Sequence, residues 1–166
     1  MIRFPFVLLA LIALTLVLLP FQLIALAFDL RLQRSIPHLF HRVLCFVVGV
    51  RIHEVGQRAP NAPALILANH VSWLDIFLID AMRPARFVAK SEIAGWPLVG
   101  TLVTRAGTLY IDRGSRKAAR ETNALIARAM QAGALVACFP EGTTSHGASV
   151  GRFHGALFQP AIDASV

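Results

Sequence analysis

Residues 64–75 read ALILANHVSWLD, a short apolar run that passes directly into a polar turn. An apolar run of this length between turn signals is typical of a buried strand. The next residues, Asp75 to Met82, predict a short helix that stops before Pro84. This passage from strand to helix decides the fold class, because the same alternation continues as far as Phe139.

Three more apolar segments alternate with helical ones downstream. Strands are predicted over Arg86 to Ala89, Thr108 to Asp112 and Ala134 to Phe139, and helices over Trp96 to Thr104 and Arg116 to Gln131. Gly133 follows the last helix, as expected for a glycine that ends one. The pattern predicts an α/β fold, an αβα layered domain with a mixed, largely parallel sheet.

The N-terminal region is a different kind of sequence. From Phe4 to Phe28 no residue is charged, which is about enough to cross a roughly 30 Å hydrocarbon core as a helix. Basic residues follow at Arg31, Arg34 and Arg42, and this favours keeping that side of the membrane segment in the cytoplasm. A cleaved secretory signal is the alternative, because Ala25-Leu26-Ala27 resembles a cleavage site.

A second short hydrophobic helix is predicted over residues 36–50, with His38, His41 and Arg42 on its polar side. We therefore place a membrane anchor at residues 1–50, with helices at 4–28 and 36–50, before a folded domain at 51–166. Alternating apolar and polar residues from Val50 to Val55 predict an edge strand where that domain begins.

The net charge of +7 comes almost entirely from arginine, since only Lys90 and Lys117 are lysines. Nucleic-acid binding is one interpretation of a basic chain. However, no basic stripe with interleaved aromatic residues is present, and the charge lies beside hydrophobic segments. Attraction to anionic lipid headgroups explains both facts, so we expect a lipid bilayer as partner and no nucleic acid. Cys45 and Cys138 lie in apolar runs and predict neither a disulfide framework nor a metal site.

His70 and Asp75 form the first candidate for chemistry. Five positions apart, they would not share a face of a regular helix. With His70 on a loop and Asp75 in the following helix, the carboxylate could orient the imidazole and leave its other nitrogen to take a proton. The alternative is that Asp75 or Ser72 merely caps a helix. Because no Gly-x-Ser-x-Gly elbow is present, the pattern favours direct attack by a substrate hydroxyl, with His70 as general base.

Two further clusters follow predicted strands, where ligand sites of open α/β sheets lie. Arg113 comes just after one strand, and its guanidinium would suit phosphate oxygens; Lys90, at the end of another, is a second candidate cation. After the last strand, Glu141 could bind a substrate hydroxyl, and Thr143 with nearby N–H groups could bind an anion or oxyanion. A surface arginine and an acidic turn are the ordinary alternatives.

Together these segments resemble the glycerolipid acyltransferase family, in particular bacterial 1-acylglycerol-3-phosphate acyltransferases and their lysophospholipid relatives. The family's three blocks match in order: Asn-His-x-x-x-x-Asp at Asn69, His70 and Asp75, Gly-x-x-x-Ile-x-Arg at Gly107, Ile111 and Arg113, and Phe-Pro-Glu-Gly-Thr at Phe139 to Thr143. The resemblance implies transfer of an acyl group from acyl-CoA or acyl-carrier protein to a lysophospholipid, with no metal or bound cofactor. The implied acceptor is 1-acylglycerol-3-phosphate, giving phosphatidic acid; lyso-ornithine lipid is the alternative.

The resemblance also implies roles for individual residues. His70 would deprotonate the acceptor hydroxyl and Asp75 would orient it. The implied substrate-binding residues are Arg113, Glu141, Gly142, Thr143, Lys90 and Gly107. The implied location is the bacterial inner membrane, with the catalytic domain facing the cytoplasm.

The family has a fourth block, an apolar proline-containing strand, soon after the third. This chain ends at Ile162 to Val166, about where that strand would begin, so we expect the acyltransferase domain at 51–166 to be incomplete at its C-terminus. Two other functional classes stay open. One is a membrane-binding protein without catalysis, and the other is a secreted hydrolase released by signal cleavage.

Overall fold

The computed structural model describes residues 3–57, 63–111 and 116–165. The chain divides into two compact units, one of residues 1–56 with 76–84, and the other of residues 57–75 with 85–166. We call them the anchor unit and the sheet unit. The predicted boundary near Val50 stays a prediction.

The anchor unit is built from helices. Helix α1 (Arg3–Ala27) confirms the predicted N-terminal helix, and α2 (Leu32–Val48) confirms the second one but begins four residues earlier than predicted. Helix α3 (Leu74–Met82) begins in the sheet unit, and its residues from Ile76 onward belong to the anchor unit. In the described part of the chain, α1 is the one helix long and apolar enough to cross a membrane. Many of its large apolar side chains are exposed, including Phe6, Leu16 and Phe21.

A buried carboxylate joins α2 to α3 within the anchor unit. Asp80 is 8% exposed, and its Oδ2 lies 2.7 Å from Nδ1 of His41. The backbone carbonyl of Asp80 lies 2.6 Å from Nδ1 of His38. A buried charge needs such polar partners, so the histidines of α2 are used inside the unit and do not form a solvated polar face.

The sheet unit contains four parallel strands, β1 (Ala64–Leu67), β2 (Arg86–Lys90), β3 (Leu109–Ile111) and β4 (Leu135–Cys138). Their order is β1-β4-β2-β3. The α/β class and the parallel sheet are therefore confirmed. The helices of this unit are α4 (Val99–Arg105), α5 (Arg116–Gln131) and α6 (Gln159–Ala164), and short 3₁₀ segments lie at Ser91–Gly95 and Gly155–Phe158.

The core of the sheet unit lies between α5 and the sheet. Ile126 and Met130 of α5 and Val136 of β4 are fully buried and pack together. Gly133 ends α5 with a φ of 84°, and the N–H of Ala134 returns to the carbonyl of Ala129 over 3.0 Å. This left-handed glycine cap lets the chain turn at once into β4, so the predicted bounds of α5 are met.

Three predictions about local structure were wrong or incomplete. The described residues 50–55 form no strand, because an alternating pattern creates a strand only where a neighbouring strand supplies hydrogen bonds. The helix predicted from Trp96 begins only at Val99, since Leu98 has a φ of 59° and a ψ of −54°, outside the helical region. Helix α6 was not predicted. Asp112, the predicted end of β3, lies outside the described residues.

Candidate active site

The parallel pairing of β1 and β4 brings two of the predicted site residues together. Leu67 lies opposite Cys138, and His70 and Glu141 each follow three positions later. Parallel strands end at the same edge of a sheet, so the two loops leave side by side. The N–H of His70 donates a hydrogen bond to Oε2 of Glu141 over 2.6 Å.

Asp75 orients the imidazole of His70. Its Oδ2 lies 2.8 Å from Nδ1 of His70, and it also accepts the backbone N–H groups of Val71 at 2.7 Å and Ser72 at 2.9 Å. The contact spans five positions because the chain turns between His70 and the first turn of α3. Capping of the helix by Asp75 and orientation of His70 by Asp75 are therefore not exclusive. The same carboxylate oxygen accepts hydrogen bonds from both backbone N–H groups and contacts the ring.

These contacts set the ionisation of Asp75. Partial burial raises its pKa, but the hydrogen bonds from Ser72, His70 and Val71 together lower it more, so the pKa lies below its ordinary value. Asp75 is therefore ionised at neutral pH and can only accept hydrogen bonds. The proton of neutral His70 is then held on Nδ1, and Nε2 keeps its lone pair.

Phe139 fixes the plane of the same imidazole. Its ring stacks on that of His70 with a centroid distance of 4.0 Å and an interplanar angle of 15°. Phe87 of β2 lies behind it, with a centroid distance of 6.5 Å to Phe139. The sequence identifies Phe139 only as part of the third block and does not predict this contact. The position of Phe139 just after a buried strand indicates that its side chain could reach the site. Its contact with His70 depends on the pairing of that strand with β1, which the sequence does not reveal.

The loop after β4 is tied back to the site at three points. The N–H of Ser145 donates to the carbonyl of His70 over 2.7 Å, the N–H of Gly151 donates to Oε1 of Glu141, and the N–H of His154 donates to the carbonyl of Pro140 over 3.0 Å. Glu141 is only 9% exposed. We call residues 141–154 the β4 loop.

The other predicted site residues have different positions. Gly142 makes the turn that opens the β4 loop, with a φ of 75°, and Thr143 is exposed on that loop. Gly107 has a φ of 89° before β3, and a Cβ there would lie 3.2 Å from Nε of Arg86, so it shapes the turn. Lys90 is exposed at the end of β2. Arg113 lies outside the described residues.

The structure therefore brings together His70, Asp75 and Glu141 and adds Phe139. Within residues 3–57, 63–111 and 116–165, no three histidine, cysteine, aspartate or glutamate side chains are placed to hold a metal ion. An imidazole that is oriented by a carboxylate, and whose Nε2 makes no hydrogen bond to these described residues, is suited to take a proton from a hydroxyl group.

The chain is similar in sequence to members of a known protein family. The sequence model of the Acyltransferase family matches residues 49–166. The chain is 47% identical over 113 residues to a 1-acyl-sn-glycerol-3-phosphate acyltransferase of Neisseria gonorrhoeae, covering 67% of this chain and 44% of the relative. It is 37% identical over 160 residues to a lyso-ornithine lipid O-acyltransferase of Brucella abortus, covering 96% of this chain and 60% of the relative. The chain thus spans about half the length of these relatives.

A solved structure shares the fold. The crystal structure of the 1-acyl-sn-glycerophosphate acyltransferase from Thermotoga maritima superposes with a TM-score of 0.65 at 22% identity, covering 96% of this chain and 72% of that one. At this identity the likeness concerns the fold alone. It agrees with the parallel α/β architecture of the sheet unit.

Proposed function

Because the chain belongs to the acyltransferase family, we propose that it esterifies the free hydroxyl of a lysophospholipid with a fatty acyl group taken from a thioester. The observation that carries this proposal is the His70–Asp75 pair, with Nδ1 of His70 2.8 Å from an ionised carboxylate and Nε2 left as a base. The names of the relatives support the acyl acceptor class.

The reaction follows from this arrangement. Nε2 of His70 takes the proton of the acceptor hydroxyl while the hydroxyl oxygen attacks the thioester carbonyl carbon. The tetrahedral intermediate collapses, the carbon–sulfur bond breaks, and the imidazolium returns its proton to the departing thiolate. General base catalysis of this kind contributes about 10²–10⁴-fold. Asp75 acts through the imidazole, because it holds the tautomer and stabilises the transient positive charge.

We propose 1-acylglycerol-3-phosphate as the acceptor, with phosphatidic acid as the product. Arg113 would hold its phosphate with help from Lys90, while Gly107 shapes the turn before β3, and Gly142 and Thr143 lie on the β4 loop beside His70. A lyso-ornithine lipid is the second candidate acceptor, supported by the relative that is similar over 96% of this chain. Since that lipid has no phosphate, the two candidates differ in their need for Arg113.

The donor in this proposal is acyl-CoA or acyl-carrier protein, and neither a metal nor a bound cofactor takes part. The apolar surface of α1 and the arginines that follow it support a place at the bacterial inner membrane, with the sheet unit on the cytoplasmic side. The side of the membrane on which the sheet unit lies is measured by labelling single cysteines introduced into that unit, in intact and in opened cells. Labelling by a membrane-impermeant thiol reagent before the cells are opened would contradict the cytoplasmic side.

The acyl transfer is tested with the full chain in membranes or detergent micelles. Wild type and His70→Ala are compared with lysophosphatidate and lyso-ornithine lipid as acceptors, and with acyl-CoA and acyl-carrier protein as donors. Product formation that requires His70 supports the proposal. Equal background rates for the two proteins with every pair of substrates would refute it and leave a membrane-binding role.

The acceptor is then assigned with Arg113→Gln. If the acceptor phosphate binds Arg113, the KM for lysophosphatidate rises strongly while the KM for the thioester donor is unchanged. Arg128→Gln, on the exposed side of α5, is the matched control. An unchanged acceptor KM in Arg113→Gln counts against the phosphate-bearing acceptor.

A further inference from the structure

We infer that Glu141 is a positioning residue that holds the main chain of His70, and that it does not bind the acceptor as the family resemblance implies. This inference rests on the proposed acyl transfer for its functional consequence. Its structural basis is independent of the substrate, because it concerns contacts made within the sheet unit.

Both carboxylate oxygens of Glu141 already have backbone donors. Oε2 accepts the N–H of His70 over 2.6 Å, and Oε1 accepts the N–H of Gly151. The residue is 9% exposed, so its oxygens are largely withdrawn from the surface where a lipid headgroup would arrive. A buried carboxylate needs such partners, and giving them up for a substrate hydroxyl would leave two N–H groups unsatisfied.

The close approach of Gly151 shows how tightly this bridge is packed. A Cβ built on Gly151 would lie 3.0 Å from Oε1 of Glu141. The missing side chain lets the backbone N–H of residue 151 come within hydrogen-bond distance of the carboxylate. The position of Gly151 on the β4 loop is thus matched to Glu141, which therefore joins the loop after β1 to the β4 loop.

Three residues that follow β4 contact His70. Its N–H is held by Glu141, its carbonyl by Ser145, and its ring by Phe139. Asp75, in the first turn of α3, supports the ring from the other side of the loop after β1. The residues of the third block therefore hold the histidine of the first block in place. Glu141 contributes to catalysis by fixing the main chain of His70, from which the imidazole side chain extends.

The variant that separates the two roles is Glu141→Gln. Glutamine has one acceptor oxygen, so its NH₂ group must face one of the two backbone N–H donors, and the bridge cannot close. We expect kcat to fall about 10- to 100-fold through misplacement of His70, with the acceptor KM within about twofold of wild type, as for loss of an interaction that acts only in the transition state. Glu92→Gln, an exposed carboxylate in the 3₁₀ segment at Ser91–Gly95, is the matched control.

A rise in acceptor KM at retained kcat would overturn the inference and restore acceptor binding by Glu141. A wild-type protein without acyl transfer to any tested acceptor would instead refute the proposed function. Amide hydrogen exchange in the wild-type full chain tests the bridge without a variant. The His70 and Gly151 amides are expected to be protected, and to stay protected when saturating lysophosphatidate is added. Loss of their protection on addition of the lipid would show that the carboxylate turns to the acceptor, and would refute the inference.

Discussion

Replacing Asp75 with two different residues separates the charge of its carboxylate from its geometry. Three donors converge on a single oxygen, Oδ2: the ring of His70 and the N–H groups of Val71 and Ser72. In Asp75→Asn the two fixed backbone donors require an oxygen at that place, so the amide oxygen should take it and the NH₂ group should point away. The Nδ1–H tautomer of His70 is then preserved, and only the charge is lost.

The magnitudes follow from this difference. A hydrogen bond to a charged group contributes about 1.5–3 kcal/mol and a neutral one about 0.5–1.5 kcal/mol. The imidazolium formed in the transition state therefore loses about 1–1.5 kcal/mol of stabilisation, which lowers kcat about 5- to 13-fold. Asp75→Ala leaves the ring unoriented and all three donors without this acceptor. We therefore expect kcat to fall by the whole contribution of the general base, about 10²–10⁴-fold.

The assay is the rate of thiol release from the thioester at saturating acceptor, with Asp163→Asn, an exposed aspartate of α6, as control. The expected order is wild type, then Asp75→Asn, then Asp75→Ala, with at least a further tenfold between the two variants. Equal losses in both variants would show that the backbone donors do not fix the amide. A kcat of Asp75→Asn equal to that of wild type would show that the charge of Asp75 has no role.

Four further outcomes are expected. Phe139→Leu removes the ring stacked on His70, an interaction of about 0.5–1.5 kcal/mol, so kcat should fall about 2- to 12-fold; a raised acceptor KM at unchanged kcat would contradict this. Met130→Ala should lower the free energy of unfolding by about 2–5 kcal/mol in denaturant titration, while Leu125→Ala on the exposed face of α5 should cost much less. Burial raises the pKa of the Cys138 thiol to about 11, so iodoacetamide at pH 8 should modify it only after unfolding, and rapid modification of the folded chain would refute its burial. The pKa of Asp75 is lower in the folded chain than in the unfolded chain, so its ionised carboxylate stabilises the fold above about pH 4. This contribution is lost as pH falls through the folded pKa. In acid titrations of stability, the difference between wild type and Asp75→Asn should therefore close below about pH 4.

The elements of this fold were predictable where local chemistry is sufficient. The amphipathic run Arg116 to Gln131 with Gly133 behind it defined α5, and the four apolar runs defined the four strands. Prediction failed where a local pattern needed a partner or met strained backbone. The alternation from Val50 to Val55 has no neighbouring strand to pair with in the described structure, and the conformation of Leu98 delays the start of α4. Local patterns indicate what a segment prefers, and tertiary contacts decide whether it obtains it.

Only one of the two links in the candidate site could be predicted from the sequence. The His70–Asp75 pair could be inferred because both residues lie on one short stretch of chain. The link from His70 to Glu141 could not be inferred from spacing, because the two residues are far apart in sequence and meet only through strand order. In that order β4 lies between β1 and β2, although it is the last of the four strands in the chain. A sequence gives the ends of the strands, but not which two ends are neighbours.

That strand order explains why two blocks so distant in sequence act as one structure. The pairing of Leu67 with Cys138 sets the height of both loops, and an equal count of three positions brings His70 level with Glu141. Because side chains alternate along a strand, a shift of one residue in this register would turn the strand's inward side chains outward and carry His70 away from its supports. Insertion of a residue between Leu67 and His70 would have the same local effect on the bridge. The geometry of the proposed catalytic site therefore depends on the register of β1 and β4 as much as on the side chains of His70 and Asp75. The apolar residues that fix this register are thus part of what the proposed function requires.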